Sequence, residues 1–167
     1  MACQIKCTPY FKLIINLNRI VLKNTTSTVI YNGHLGTEAT HTKSKSIIVT
    51  DAPPDNNGKG EAFSPTDLTA TSLACCMLTV MGIVADRHQI NIAGAKSDVL
   101  KVMDDNPRRI SEIYVDMIMP EIAYSSKEKK LLENTARACP VAKSIHPEIK
   151  IHLTFYWGEE KVILSSH

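Results

Sequence analysis

Three thiols are the residues most able to do chemistry here. Cys75 and Cys76 stand side by side within Ser64–His88, SPTDLTATSLACCMLTVMGIVADRH, and Cys139 opens a Cys-Pro-Val run much later in the chain. A cysteine attacks as a thiolate, which requires positive charge or a helix N-terminus beside it. Cys139 has the second feature, because Pro140 suits the first turn of a short helix and leaves Cys139 at or near its N-cap. Cys75 and Cys76 lie among apolar residues, which accept a greasy substrate but by themselves raise a thiol pKa. They react only where the fold supplies a cation or a hydrogen-bond donor. Otherwise they are core, since free cysteine is among the most buried residue types. Both readings stay open at this level.

Other chemistries find less support. The chain has no G-x-S-x-G, no Walker A motif, no G-x-G-x-x-G after a strand and no H-E-x-x-H. Cys3 and Cys7 are four apart, like half of a zinc site, but no second pair follows nearby. His34 and His41 fall on strand-like segments and His146 and His152 straddle a turn, so generic histidines explain them better than ligands. Neither a metal nor a cofactor is expected.

Composition narrows the class. With 167 residues, 44% of them apolar and 22% charged, the chain is long enough to bury a core and has a globular balance. A net charge of +2 gives no basic footprint for nucleic acid. Leu68–Ala85 is long enough to span a membrane, but Thr69, Thr71, Ser72, Thr79 and Gly82 dilute it and Asp86 and Arg87 close it, so no membrane is expected. Lys12 and Asn16 interrupt any signal-peptide core near the N-terminus. Five cysteines without the spacing of a secreted framework point to a reducing, cytoplasmic setting, where a cysteine pair is more often catalytic than structural.

The elements that must position these thiols follow from local pattern. Residues 1–24 read as an N-terminal extension of uncertain structure, with a weak strand signal over Phe11–Leu17, and 25–167 as a single domain. Thr28–Asn32, Leu35–Thr42 and Ser46–Thr50 read as three strands of an antiparallel meander. Asp51–Glu61, DAPPDNNGKGE, is a polar loop with no room for regular structure. Ser64 then caps a long helix, Pro65 takes its first position, and Asp67 sits where a capping-box carboxylate reaches back. From Leu68 to Ala85 there is no charged residue, so this helix is expected to be buried on most sides. Ala95–Met103 and Arg109–Met119 form two strands around the Asp104–Pro107 turn, with Ile113, Val115, Met117 and Met119 on one face. Ser125 or Ser126 caps a helix over Lys127–Ala138, and Glu128 completes a capping box with Ser125. Ile149–Trp157 is the last strand, and the final ten residues read as a frayed tail. The order is β-β-β-α-β-β-α-β, an α+β domain around one buried helix.

The run TDAPPDNNGKGEAFSPTDL, the cysteine in the middle of the next helix and the later ARACPVAKSI resemble the osmotically inducible protein C and organic hydroperoxide resistance (OsmC/Ohr) family. The resemblance covers about Thr28 to Trp157. It implies antiparallel sheets wrapped around the central helix in an intertwined homodimer. In that family the helix-opening proline precedes the peroxidatic cysteine by eleven residues, which from Pro65 selects Cys76 and leaves Cys75 as packing. The Cys-Pro-Val motif makes Cys139 the resolving cysteine. The implied activity is thiol-dependent reduction of organic hydroperoxides to alcohols in oxidative-stress defence, through a Cys76 sulfenic acid and a Cys76–Cys139 disulfide reduced by an external dithiol.

This chain departs from that pattern at two positions. The family's peroxidases hold the thiolate with an arginine on an early strand, where this chain has Gly36 after Leu35. They also carry a glutamate directly after the helix-opening proline, where this chain has Thr66, with Asp67 next. Asp67 and Lys59 are therefore named as supporting residues, with Arg87 or a partner-chain residue as other sources of charge. Gly36 favours an alternative, a non-enzymatic dimeric module that binds an apolar ligand. Disulfide exchange at the same thiols is a third reading.

Overall fold

The computed structural model describes residues 25–164. Residues 1–24, with Cys3, Cys7 and the Phe11–Leu17 strand, lie outside the described residues. The chain divides into two compact units, Met1–Ala62 and Phe63–His167.

In the first unit, β1 (Ser27–Gly33), β2 (Gly36–His41) and β3 (Ile47–Thr50) form an antiparallel sheet in the order β1-β2-β3. The register sets Val29 opposite Ala39 and Ala39 opposite Ile48 on one face, with Ile30, Glu38 and Val49 on the other. Both faces therefore carry apolar groups, and Val29, Ile30, Ile48 and Val49 are exposed. The β1–β2 turn places His34 and Leu35 at positive φ, 51° and 66°. That is the backbone of a type I′ hairpin, unusual for a leucine.

Asp51–Glu61 is more ordered than its composition suggests. A 3-10 turn forms over Pro54–Asn56. Buried Asp51 closes the loop by accepting the Glu61 N–H at 3.1 Å, and the Gly60 N–H reaches the Ala52 carbonyl at 3.2 Å. Gly58 packs so closely that a Cβ there would lie 1.7 Å from the Ala52 carbonyl oxygen. The segment holds no strand or α-helix, as its composition predicts, but side-chain and backbone bonds that composition does not count hold it together.

The second unit is built on α1 (Pro65–His88). Its start is as the sequence predicts, with Ser64 Oγ accepting the Asp67 N–H at 3.1 Å and Asp67 Oδ2 accepting the Ser64 N–H at 2.8 Å. Four strands form a sheet in the order β4 (Lys96–Asp105), β5 (Arg108–Ile118), β6 (Lys150–Trp157) and β7 (Glu160–Leu164). Neighbours are antiparallel except β5 and β6, which run parallel because α2 (Ser126–Arg137) and α3 (Pro140–Ser144) cross between them. The predicted face of Ile113, Val115 and Met117 is fully buried with Leu153 and Phe155 against Leu73, Met77 and Met81 of α1.

Two expectations fail here. The tail is not frayed throughout, since Glu160–Leu164 pairs with β6, Leu153 lying opposite Leu164. Nor is α1 buried on most sides. Ala70, Leu73, Ala74, Met77, Met81 and Ala85 are buried, while Thr69, Ser72, Cys75, Thr79, Ile83 and Asp86 form an exposed stripe. One sheet covers one face of a helix, whatever the helix's composition. Pro65–His88 is also long and apolar enough to cross a membrane by those two criteria alone.

Candidate active site

Adjacent cysteines on a helix diverge by about 100°. Cys75 falls on the exposed stripe of α1, so within the single chain it does not pack into the core. Cys76 turns toward the core and is half-buried against it. The turn α3 packs on α1, and at its N-cap the Cys139 side chain is fully buried, with Sγ accepting the Ala142 N–H at 3.3 Å. Cys139 and Cys76 are close enough for each thiol to act on the other's ionisation. The fold brings these two together.

Burial pushes the Cys139 thiol above its ordinary value, and the neighbouring Cys76 pushes it further. The backbone N–H groups of Ala142 and Val141 oppose this by favouring the thiolate. Cys139 is therefore protonated at neutral pH and sealed from solvent, a poor first nucleophile. It nevertheless sits where it can attack an oxidised Cys76, with two donors ready to stabilise its anion. The half-exposed Cys76 is the thiol that an entering molecule meets first.

Asp67 is committed elsewhere. Nine residues separate it from Cys76, which puts it about 13 Å along the axis and on the opposite side of α1. Besides closing the cap, its Oδ1 accepts from Lys101 Nζ at 2.7 Å. Partial burial raises its pKa, but the Lys101 and Ser64 bonds outweigh that and hold the carboxyl below its usual 3.8. A lowered carboxylate stabilises the fold above the unfolded value and loses that contribution as pH falls through the folded one. Wild-type stability therefore drops below pH 3.8 partly through this group. Asp67→Asn keeps a side-chain acceptor but leaves Lys101, only 18% exposed, without its counter-ion. We expect a loss of about 1–2 kcal/mol at neutral pH and a flatter acid limb, read from thermal melts followed by circular dichroism across pH.

Lys101 itself escaped the sequence reading, yet a signal was present. It lies in phase with Val99 and Met103 on the inward face of β4, a basic residue where the alternation calls for an apolar one. Among the described residues, no group of three or more His, Cys, Asp or Glu side chains is placed to hold a metal.

The OsmC-like protein family profile matches residues 58–154, more than half of the chain and both thiols of the pair. The chain belongs to the OsmC-like family. It is 52% identical to a crystallised protein from Psychrobacter arcticus, described only as a candidate osmotic stress induced and detoxification response protein. That match covers 79% of this chain and 96% of the other, with a TM-score of 0.76. The fold also matches an organic hydroperoxide resistance protein OsmC from Legionella pneumophila, at 17% identity over 79% and 97% of the two chains and a TM-score of 0.63. A third match is organic hydroperoxide resistance protein OhrB of Bacillus subtilis, at 18% identity over 78% and 98% and a TM-score of 0.58. At those identities the last two speak to fold alone. A comparison with curated proteins finds no match.

Membership thus agrees with the resemblance carried by GKGE-x-FSPTDL and Cys-Pro-Val, and the mixed α+β architecture is that of OsmC and Ohr proteins. The other supporting candidate, Lys59, lies in the first unit, where its ammonium is 4.0 Å from Glu61 and largely exposed. Gly36 is also in that unit. A Cβ there would meet only the Gly33 and Thr50 carbonyl oxygens, at 3.5 and 3.6 Å, so its backbone admits a larger residue.

Proposed function

We propose that this OsmC-like protein is a thiol-dependent peroxidase for organic hydroperoxides, acting in oxidative-stress defence, with Cys76 peroxidatic and Cys139 resolving. The observation that carries the reading is the proximity of a half-exposed Cys76 to a buried Cys139 at a helix N-cap. In the first step the Cys76 thiolate attacks the distal peroxide oxygen and the O–O bond breaks. The leaving alkoxide takes a proton to become the alcohol, and Cys76 becomes a sulfenic acid. Cys139 then attacks that sulfur as its thiolate, the S–O bond breaks, and hydroxide leaves with the Cys139 proton as water. An external dithiol reduces the resulting disulfide by exchange and is itself oxidised to a disulfide. No cofactor enters.

The same reading includes a cytoplasmic homodimer. It is supported by the uncovered stripe on α1, which holds Cys75 and Ile83, and by apolar groups on both faces of the β1–β2–β3 sheet. A second copy of the chain is the occupant that would cover them. Gly36 favours the alternative of a non-enzymatic module, because it places no cation on the early strands.

The deciding experiment adds one equivalent of cumene hydroperoxide to the reduced protein and follows free thiols and peroxide. We expect rapid loss of two thiols per chain, one equivalent of cumyl alcohol, and a Cys76–Cys139 cross-link by peptide mapping. Peroxide that persists while Cys76 stays reduced would sink the proposal and leave the binding module.

A further inference from the structure

Apart from the cysteines, the Phe63–His167 unit holds a cleft of about 570 Å³ whose walls include Pro107, Ile110 and Ile149. That volume is within the range of small-molecule sites, which are mostly apolar with a few polar groups that fix orientation. Here the polar groups are Thr66 in the first turn of α1, Arg109 at the start of β5, and His146 and Glu148 on the segment between α3 and β6. We propose that this cleft binds a small apolar carboxylate, with Arg109 holding the carboxylate and the apolar walls holding the tail.

The arginine carries the argument. A guanidinium matches a carboxylate with two parallel N–H bonds, and that fork is the residue's particular advantage. In this cleft half of the fork is used. Nη1 donates to Glu148 Oε2 at 2.6 Å, while Nε is buried and has no hydrogen-bond partner among the described residues. A buried donor without a partner is costly, so a carboxylate that pairs with Nε and the adjacent Nη2 is favoured over one that, like Glu148, takes Nη1 alone. Glu148 shows that a carboxylate fits on Arg109, and its own side chain is 65% exposed. Displacing it returns it to water at little cost and frees the guanidinium to turn its second edge to the cleft.

His146 contributes a further donor. Its Nδ1 accepts the Glu148 N–H at 3.2 Å, so the neutral ring carries its proton on Nε2. A ligand with a tail but no carboxylate would gain the walls alone. Charge on the ligand is therefore the discriminating feature, and binding does not depend on the peroxidase reading.

The test uses the full-length reduced protein, with decanoate as probe and decanol as its uncharged counterpart, by isothermal titration calorimetry. Decanoate should bind at least about tenfold more tightly than decanol, the value of one charged hydrogen bond. Arg109→Gln should erase that difference. Glu148→Gln should tighten decanoate several-fold by removing the internal competitor, a gain that a merely structural ion pair would not produce. Melting curves of both variants establish that they are folded. Equal affinity for decanoate and decanol would overturn the proposal. So would Glu148→Gln weakening decanoate, or Arg109→Gln dissociating an oligomer with decanoate affinity unchanged, which would make the cleft a subunit contact.

Discussion

Cys76→Ser is expected to lose hydroperoxide turnover by at least about a thousandfold, because a hydroxyl at neutral pH is a far weaker nucleophile than a thiol. The variant should fold, since the change exchanges one small side chain for another at a half-buried position. Its neighbours sharpen the test. Cys75→Ser alters an exposed side chain turned about 100° away from Cys76 and should retain turnover close to wild type. Cys139→Ser should consume one equivalent of peroxide and then stall, with a sulfenic acid on Cys76 that dimedone traps and mass spectrometry counts. Turnover by Cys139→Ser equal to wild type would show that resolution does not need Cys139. Turnover by Cys76→Ser would remove Cys76 from the chemistry altogether.

A second substitution should act in the opposite direction. The family resemblance sets Gly36 against the thiolate-holding arginine of the peroxidases, and its backbone leaves ordinary contact space for a Cβ. If position 36 plays in this chain the part that the resemblance implies, Gly36→Arg is expected to move the pH profile of Cys76 reactivity down by about 1–3 units, the usual effect of an opposite charge on a thiolate. The peroxidase rate at neutral pH should then rise about tenfold or more. The measurement is the pH profile of Cys76 alkylation by iodoacetamide, with the second-order rate for cumene hydroperoxide beside it. Gly36→Gln provides the neutral control, adding the bulk of a long side chain without its charge. A profile that moves equally in both variants would assign the effect to packing. An unchanged profile in Gly36→Arg would mean that the cation already comes from elsewhere.

Much of the scaffold around this chemistry was readable in local pattern. Ser64, Pro65 and Asp67 announced the start of α1, and Ser125 with Glu128 the start of α2, because a capping box is complete within four residues. The alternation from Ile113 to Met117 marked the buried face of β5, because a strand's side chains alternate wherever it is placed. Cys139 at an N-cap followed from Pro140 by the same local logic. Selection of Cys76 over Cys75 came from resemblance, since composition treats the two alike.

What depended on packing between distant segments was not readable. Glu160–Leu164 became a strand only because β6 offered it an edge, and the polar Asp51–Glu61 loop closed around the buried Asp51 carboxylate. The apolar length of α1 promised burial all round, but burial is a property of neighbours, and its own unit supplies them on one face. Lys101 against Asp67 and Arg109 against Glu148 pair residues far apart in the chain, so no short window contains them. The same holds for the thiols from which the reading began. The sequence by itself determined that Cys76 sits in the middle of a long apolar helix and that Cys139 caps a short one. Tertiary structure alone decided that they lie close together, that Cys139 is sealed and raised in pKa, and that Cys75 faces outward. Capping and periodicity are settled by bonds within a few residues, whereas the proximity of two thiols is settled by how whole elements pack.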